Sequence, residues 1–238
     1  MPSRLLAVTF DAHDPDGLAQ FWAAMLGRSV LETSGGPLLP GTSTQLGLAF
    51  APTRTPKAGP NRMHLHLTST SDAGQQETVA KAVELGASHL DVGQRPEEGH
   101  VVLADPGGNE FCVIPPGSAF LADCGFLGEL ACDGSRDVGL FWADALGWSL
   151  VWDQDEETAI QSPHGGTKIG WGGPPMSARV RTTTQRFVLL PTDGDHGREA
   201  ERLVSLGATR LGVDPGSGDS LSLADPDGNE FRLLDLRP

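Results

Sequence analysis

One eight-residue segment occurs twice in the chain and constrains the fold more than any other feature. Residues 104–111 read ADPGGNEF, and residues 224–231, which lie 120 positions later, read ADPDGNEF. Asp-Pro-x-Gly favours a type I turn, because Asp accepts backbone hydrogen bonds at the first position and Pro fixes φ at the second. Apolar runs flank both turns. Each copy therefore predicts a β-hairpin, and the two copies indicate a duplicated module.

Other matched segments keep their order along the chain at similar offsets. Phe-Trp occurs at 21–22 and 141–142, Leu-Gly at 26–27 and 146–147, and Leu-Gly-Ala at 85–87 and 206–208. The run PPGS at 115–118 is typical of a linker. The sequence predicts a first module over residues 1–115, a linker over 116–125 and a second module over 126–238.

The start of each module predicts a strand followed by an amphipathic helix. Asp14 before Pro15 is a typical helix start. Apolar residues then recur with the helical period at positions 18, 21, 22 and 25, and Gly27 favours the helix end. An aromatic pair at this spacing usually packs in a core.

Composition excludes several classes of protein. The formal net charge of −14 over 238 residues argues against nucleic acid and anionic membranes as partners. We find no apolar run of the ~20 residues that a membrane span needs, and the apolar run near the N-terminus is too short for a signal peptide. Three cysteines without a CxxC pair predict no disulfide framework. We expect a cytoplasmic protein.

The duplicated helix and hairpin segments resemble those of the vicinal oxygen chelate superfamily, which includes glyoxalases, bleomycin-resistance proteins and extradiol dioxygenases. The segment RMHL at 62–65 also resembles a strand start of its small glyoxalase-like modules. The resemblance covers nearly the whole chain. It implies an α+β fold of two tandem modules, each built from paired βαβββ units whose curved mixed sheets enclose a cavity. It also implies that the modules pair within the chain, as two subunits do in single-module relatives.

The resemblance implies positions for a metal site, and we compare these with the residues present. The first-strand position falls on Ala7 and, by the same count, on Leu127. The fourth-strand stretches at 46–50 and 168–172 hold no carboxylate. A histidine position falls on His64, whose counterpart in the second module is Val188. The last-strand position is Cys112 in the first module and Arg232 in the second. We therefore predict no standard metal site.

Some residues remain candidates for a ligand site. His64 and His66 lie on one strand face, and Glu110 shares a face with Cys112, because strand side chains alternate. These four residues offer an alternative, non-standard site for a divalent ion (Fe, Mn, Ni, Co or Zn). Cys112 would need a cationic neighbour to become a nucleophile, and a strand thiol is more often inert. The ligand-binding set that we propose contains His64, His66, Glu110, Cys112, Trp171 and Arg232.

Trp171 has two interpretations. It lies in the fourth-strand stretch that lines family cavities, where an aromatic ring can stack on a flat ligand. Packing between the modules explains it equally well.

The sequence favours a small-molecule-binding protein, similar to the bleomycin-resistance proteins, in which most of the family metal site has been lost. The alternative is a metal-dependent lyase, isomerase or dioxygenase with a non-standard site in the first module. A third possibility is that one module only supports the other. No residue is assigned a catalytic role, and association into a homodimer is left open.

Overall fold

Four successive units with one common pattern build the protein. The computed structural model describes residues 2–173, 184–213 and 220–234. In this part of the chain each unit has a strand, an α-helix and three further strands. The first unit comprises β1 (Arg4–Ala12), α1 (Pro15–Leu26), β2 (Leu31–Thr33), β3 (Gly36–Leu39) and β4 (Leu48–Pro52). The second comprises β5 (Met63–Leu67), α2 (Asp72–Glu84), β6 (Ser88–His89), β7 (Val101–Ala104) and β8 (Glu110–Val113), with a 3₁₀ turn at Pro96–Glu98.

The other two units lie in the second half of the chain. The third comprises β9 (Leu127–Cys132), α3 (Arg136–Leu146), β10 (Ser149–Gln154), β11 (Glu157–Gln161) and β12 (Lys168–Trp171). The fourth comprises β13 (Gln185–Leu190), α4 (His196–Ser205), β14 (Thr209–Val213), β15 (Leu221–Ala224) and β16 (Glu230–Leu233). The expected linker at 116–125 falls between β8 and β9, and residues 174–183, 214–219 and 235–238 of the second module lie outside the described residues.

Two eight-stranded mixed sheets result, and each takes four strands from each half of the chain. Sheet A has the order β14-β15-β16-β13-β1-β4-β3-β2, and sheet B has the order β10-β11-β12-β9-β5-β8-β7-β6. The halves meet in each sheet through one antiparallel pair, β1 with β13 and β5 with β9. The α+β fold of two tandem modules is therefore confirmed, and the modules pair within one chain.

The first helix forms as its sequence predicts. Asp14 caps α1 by accepting a hydrogen bond of 2.9 Å from the backbone N–H of Gly17. Gly27 ends the helix with φ +65°, which glycine adopts without strain. Phe21 and Trp22 are buried in the core, and the Trp22 ring lies 5.1 Å from that of Phe111 on β8. α1 packs mainly on the strands of its own unit, and its aromatic pair also reaches the sheet of the next unit.

Both repeated segments form the predicted hairpin turns. In the first, the N–H of Gly108 donates to the carbonyl of Asp105 over 2.8 Å, and β7 pairs with β8 on either side. In the second, Gly228 donates to Asp225 in the same way between β15 and β16. No helix among the described residues is long and apolar enough to cross a membrane.

Candidate functional site

A row of four polar side chains crosses the centre of sheet B. Cys112 pairs with His66, His66 with Glu129, and Glu129 with Lys168, on the neighbouring strands β8, β5, β9 and β12. Their strand neighbours are buried in the core, so these four side chains point to the opposite face of the sheet. We call the surface that they form the polar face of sheet B.

His66 and Glu129 form an ion pair at the middle of the row. Nδ1 of His66 lies 2.8 Å from a carboxylate oxygen of Glu129, and both side chains are largely buried. Burial alone would lower the pKa of His66. Hydrogen bonds with Cys112 and Glu129, together with the charge of Glu129, outweigh burial and raise this pKa to about 9. His66 is therefore an imidazolium at neutral pH and lies beside a thiol.

The absence of a side chain at Gly170 on β12 makes room for this ion pair. A Cβ atom added to Gly170 would lie 2.4 Å from an oxygen of Glu129. A larger residue at this position would therefore have to displace the carboxylate. The glycine leaves Glu129 free to reach across to His66.

Lys168 ends the row beside two aromatic rings. Its ammonium group donates to the carbonyl of Phe120 and lies 4.4 Å from the centre of the Phe120 ring, which is a cation–π contact. The Phe120 ring lies 5.9 Å from that of Trp152, which is 38% exposed. The polar face thus carries cationic groups next to an accessible aromatic surface.

His64 and Glu110 lie on the same two central strands but in different surroundings. Glu110 forms a salt bridge of 2.5 Å with Lys57 and accepts a hydrogen bond from the N–H of Asn61. Burial lowers the pKa of His64, and nearby Glu110 opposes this effect. Glu110 therefore anchors the segment before β5. The lowered pKa of His64 favours its neutral form, whereas the raised pKa of His66 favours the imidazolium.

Two of the predicted ligand-binding residues lie apart from this group. Trp171 is 2% exposed and belongs to the hydrophobic core, on the side of β12 opposite Lys168. Arg232 lies on sheet A, where it pairs with Val188 and Ser222. The structure therefore brings together His64, His66, Glu110 and Cys112, and it separates them from Trp171 and Arg232.

The register of the strands corrects two positions taken from motif spacing. Leu65 pairs with Phe111, and Phe187 pairs with the equivalent Phe231, so the counterpart of Val188 is His66 and not His64. The assignment was wrong by two residues because the connections before β5 and before β13 differ in length.

The first-strand position in the second module was also wrong. Ala7 pairs with Val188, and Glu129 pairs with His66, so Glu129 and not Leu127 matches Ala7. Leu127 is buried in the core. Fourteen residues separate Ala7 from Phe21 and only twelve separate Glu129 from Phe141, and a fixed count from the helix misses this difference. Glu129 is the one charged residue in the apolar segment LGELAC, and this was the signal that could have identified it.

Comparison with known proteins agrees with this architecture. The glyoxalase-like domain family matches residues 7–114 and again residues 129–234. The chain belongs to this family. It is thus a tandem glyoxalase-like protein of the vicinal oxygen chelate superfamily. No curated protein shows significant similarity to its sequence.

Two solved structures superpose on nearly the whole glyoxalase-like chain. Glyoxalase I from Zea mays does so with a TM-score of 0.63 at 15% identity, over 98% of this chain and 92% of that one. A putative dioxygenase from Bacillus subtilis does so with a TM-score of 0.63 at 14% identity, over 98% of this chain and 85% of that one. At these identities the similarity shows the fold alone.

The polar face does not fit the divalent metal that the superfamily implies. Such an ion requires neutral histidine and carboxylate groups that converge within about 2.0–2.3 Å. Here His66 is protonated and bonded to Glu129, and the amine of Lys168 stands at the fourth-strand position. In the described parts of the chain, no three His, Cys, Asp or Glu side chains are arranged to hold an ion.

The matching row on sheet A of this glyoxalase-like protein has a different character. It consists of Ser222, Arg232, Val188 and Ala7. Arg186, two residues from Val188 on β13, forms a bidentate salt bridge with Asp11, four residues from Ala7 on β1. The two sheets therefore carry different chemistry at equivalent positions.

A separate groove of about 780 Å³ lies away from both rows. It opens between the loop at 40–47, the end of α3 and the hairpin at 162–165, and its lining includes Trp148 and His164. None of the residues of the polar row lines it. It is therefore the alternative ligand-binding site that a binding experiment has to distinguish from the polar face.

Proposed function

We propose that this protein binds a small molecule on the polar face of sheet B without a metal ion. The observation that carries the proposal is the continuous row Cys112–His66–Glu129–Lys168, in which Glu129 bonds to His66 instead of to an ion. The superfamily that contains this glyoxalase-like chain includes bleomycin-resistance proteins, which bind a ligand without metal chemistry, and this supports binding as a role. The fold by itself does not determine activity.

The side chains of the polar face indicate the class of ligand. The imidazolium of His66 and the ammonium of Lys168 favour a carbonyl or carboxylate oxygen. Phe120 and Trp152 at the Lys168 end favour a flat apolar group. We therefore expect a small aromatic or conjugated molecule that carries at least one oxygen acceptor.

A ligand screen by thermal shift, with and without chelator, tests the proposal. We expect a saturable increase in melting temperature that persists in chelator. Lys168→Met is expected to weaken the binding of a hit by about tenfold, which corresponds to the loss of one charge-assisted contact. Lys81→Met removes an equal charge from α2 and His164→Ala alters the rival groove, so both variants should bind as the wild type does.

Elemental analysis after incubation with Fe, Mn, Ni, Co and Zn and extensive dialysis tests the same point independently. About one retained ion per chain that is lost in His66→Ala would overturn the proposal in favour of a metal-dependent enzyme. Ligand binding that disappears in chelator would do the same. Loss of binding in His164→Ala but not in Lys168→Met would move the site to the groove.

A further inference from the structure

Cys112 has the partners that a nucleophilic cysteine requires. It lies beside His66 on the adjacent parallel strand, and neighbouring strands are about 4.8 Å apart. On the other side of His66, Glu129 bonds to Nδ1 over 2.8 Å. A thiol, an imidazole and a carboxylate therefore stand side by side on three consecutive strands. This order of groups is the one that activates cysteine nucleophiles in unrelated folds.

The other two cysteines are shielded by burial. Cys132 is buried in the core, where burial raises the pKa of its thiol well above the ordinary value. Burial also raises the pKa of Cys124, which is fully covered. Cys112 is partly exposed and is the only one of the three on the polar face of sheet B. The chain thus contains one accessible thiol with a cationic neighbour and two shielded thiols that serve as internal controls.

The three central positions are also specific to one of the two sheets. In sheet A, the places of Cys112, His66 and Glu129 are taken by Arg232, Val188 and Ala7. The repeated fold therefore does not require a thiol, an imidazole and a carboxylate at these positions. Packing of the sheet does not explain why the three occur together in sheet B.

We propose that Cys112 is a nucleophile that captures an electrophilic small molecule, with His66 as its acid–base partner and Glu129 as the residue that orients His66. The inference rests on the proposed function, because the molecule must first bind on the polar face. The class of molecule that fits is an α,β-unsaturated carbonyl compound, which is flat, conjugated and carries an oxygen acceptor.

The addition balances without any further reactant. The Cys112 thiol releases its proton to water, and the sulfur, which faces the imidazolium of His66, forms a bond to the β-carbon of the electrophile. The electron pair of the carbon–carbon double bond moves to the α-carbon, which takes a proton from the imidazolium of His66, and His66 regains from water the proton that the thiol released. No group leaves, so the mass of the protein increases by the mass of the electrophile. The ion pair with Glu129 keeps His66 oriented while the proton is transferred.

Alkylation with N-ethylmaleimide, an α,β-unsaturated dicarbonyl compound, tests the assignment. Intact-mass measurements on the folded protein should show one rapid adduct at Cys112, formed at least about tenfold faster than the adduct of glutathione at the same pH. Cys112→Ser should form no rapid adduct, and Cys124→Ser should react as the wild type does. His66→Gln should slow the reaction about tenfold or more, with an unchanged circular dichroism spectrum.

Two conservative variants test whether Glu129 orients His66. Glu129→Gln should slow the alkylation of Cys112, and Glu129→Asp, which keeps the charge, should restore most of the rate. Equal rates in both variants would show that Glu129 only supports the sheet. Wild-type alkylation no faster than that of glutathione, or a rate unchanged by His66→Gln, overturns the inference.

The same variants separate this inference from the proposed function. Cys112→Ser keeps Lys168, His66 and the aromatic rings, so ligands found in the thermal-shift screen should still bind it reversibly. Retained binding together with slow alkylation of the wild type overturns the nucleophile and leaves the binding function intact. Rapid, His66-dependent alkylation in a protein for which no ligand shifts the melting temperature overturns the binding function instead.

Discussion

The indole N–H of Trp22 donates a hydrogen bond of 3.0 Å to a buried carboxylate oxygen of Asp105. The second half of the chain repeats this contact between Trp142 and Asp225 at 3.2 Å. Burial raises the pKa of Asp105, while hydrogen bonds from Asn109, Trp22 and Gly107 oppose this effect. The two most conspicuous repeats in the sequence, Phe-Trp and Asp-Pro-x-Gly, are therefore the two ends of one buried contact.

We expect Trp22→Phe to lower the free energy of unfolding by about 2 kcal/mol. The change keeps an aromatic ring but removes the donor to a buried carboxylate, and such bonds to charged groups contribute about 1.5–3 kcal/mol. Urea unfolding measures the effect. Trp152→Phe is the matched control, because Trp152 is exposed and its substitution should change stability by less than about 0.5 kcal/mol. Equal costs for the two variants would show that the bond to Asp105 contributes nothing.

Glu129→Gln should lower the pKa of His66 well below about 9, the value in the wild-type protein. The carboxylate supplies a hydrogen bond and a charge that favour the imidazolium, and without them burial dominates. Titration of the seven histidines by NMR measures this shift. Glu110→Gln is the reciprocal control, since it removes the charge that raises the pKa of His64 and should leave the His66 resonance in place. A His66 pKa that does not respond to Glu129→Gln would contradict the ion pair.

The stability of the protein should fall as the pH rises from about 6.5 through about 9. Because the folded state raises the pKa of His66 from 6.5 to about 9, it binds this proton more tightly than the unfolded chain does. The resulting stabilisation is complete below pH 6.5 and is lost as the pH rises through 9. At ~1.4 kcal/mol per pKa unit, it amounts to at most about 3.5 kcal/mol.

The difference between wild type and His66→Gln in urea unfolding isolates this contribution from those of other groups. It should shrink across the stated pH window and be smallest at alkaline pH. His164→Gln, at an exposed position, is the control and should follow the wild type throughout. A wild-type minus His66→Gln difference that stays constant across this pH window would show that folding does not raise the pKa of His66.

Gly170→Ala should disturb the polar face without unfolding the sheet. Its Cβ would lie 2.4 Å from an oxygen of Glu129, and the flexible side chain of Glu129 can move away from it. We therefore expect a small loss of stability, of about 1 kcal/mol, together with a lower pKa of His66 and slower alkylation of Cys112. Gly172→Ala is the control, because nothing lies within 4 Å of a Cβ there. Identical behaviour of the two variants would contradict the packing of Glu129 against Gly170.

The repeats in the sequence were sufficient to predict the hairpins, the capped helix after Asp14 and the duplication, because turns and caps depend on neighbouring residues. The pairing of strands between the halves was predictable only through the family resemblance. Strand order is a non-local property, and no short segment encodes it. The sequence alone therefore could not show that β5 lies beside β9.

The candidate site was only partly predictable for a related reason. Alternation placed His64 and His66 on one face and Glu110 and Cys112 on another, and the register then joined these faces. Glu129 was missed because the distance from strand to helix differs between the repeats. The position of Trp171 was not predictable for another reason. Alternation divides the side chains of a strand between two faces, but packing decides which face meets the core.

The division of each sheet between the two halves has an evolutionary consequence. Neither half of the gene encodes a complete surface, so a deletion of either would remove both surfaces at once. Point substitutions, in contrast, alter one surface at a time, because Cys112 and Arg232 occupy equivalent places on different sheets. Fusion thus preserves the partnership of the two copies while their surfaces diverge, a freedom that an assembly of two identical chains does not have.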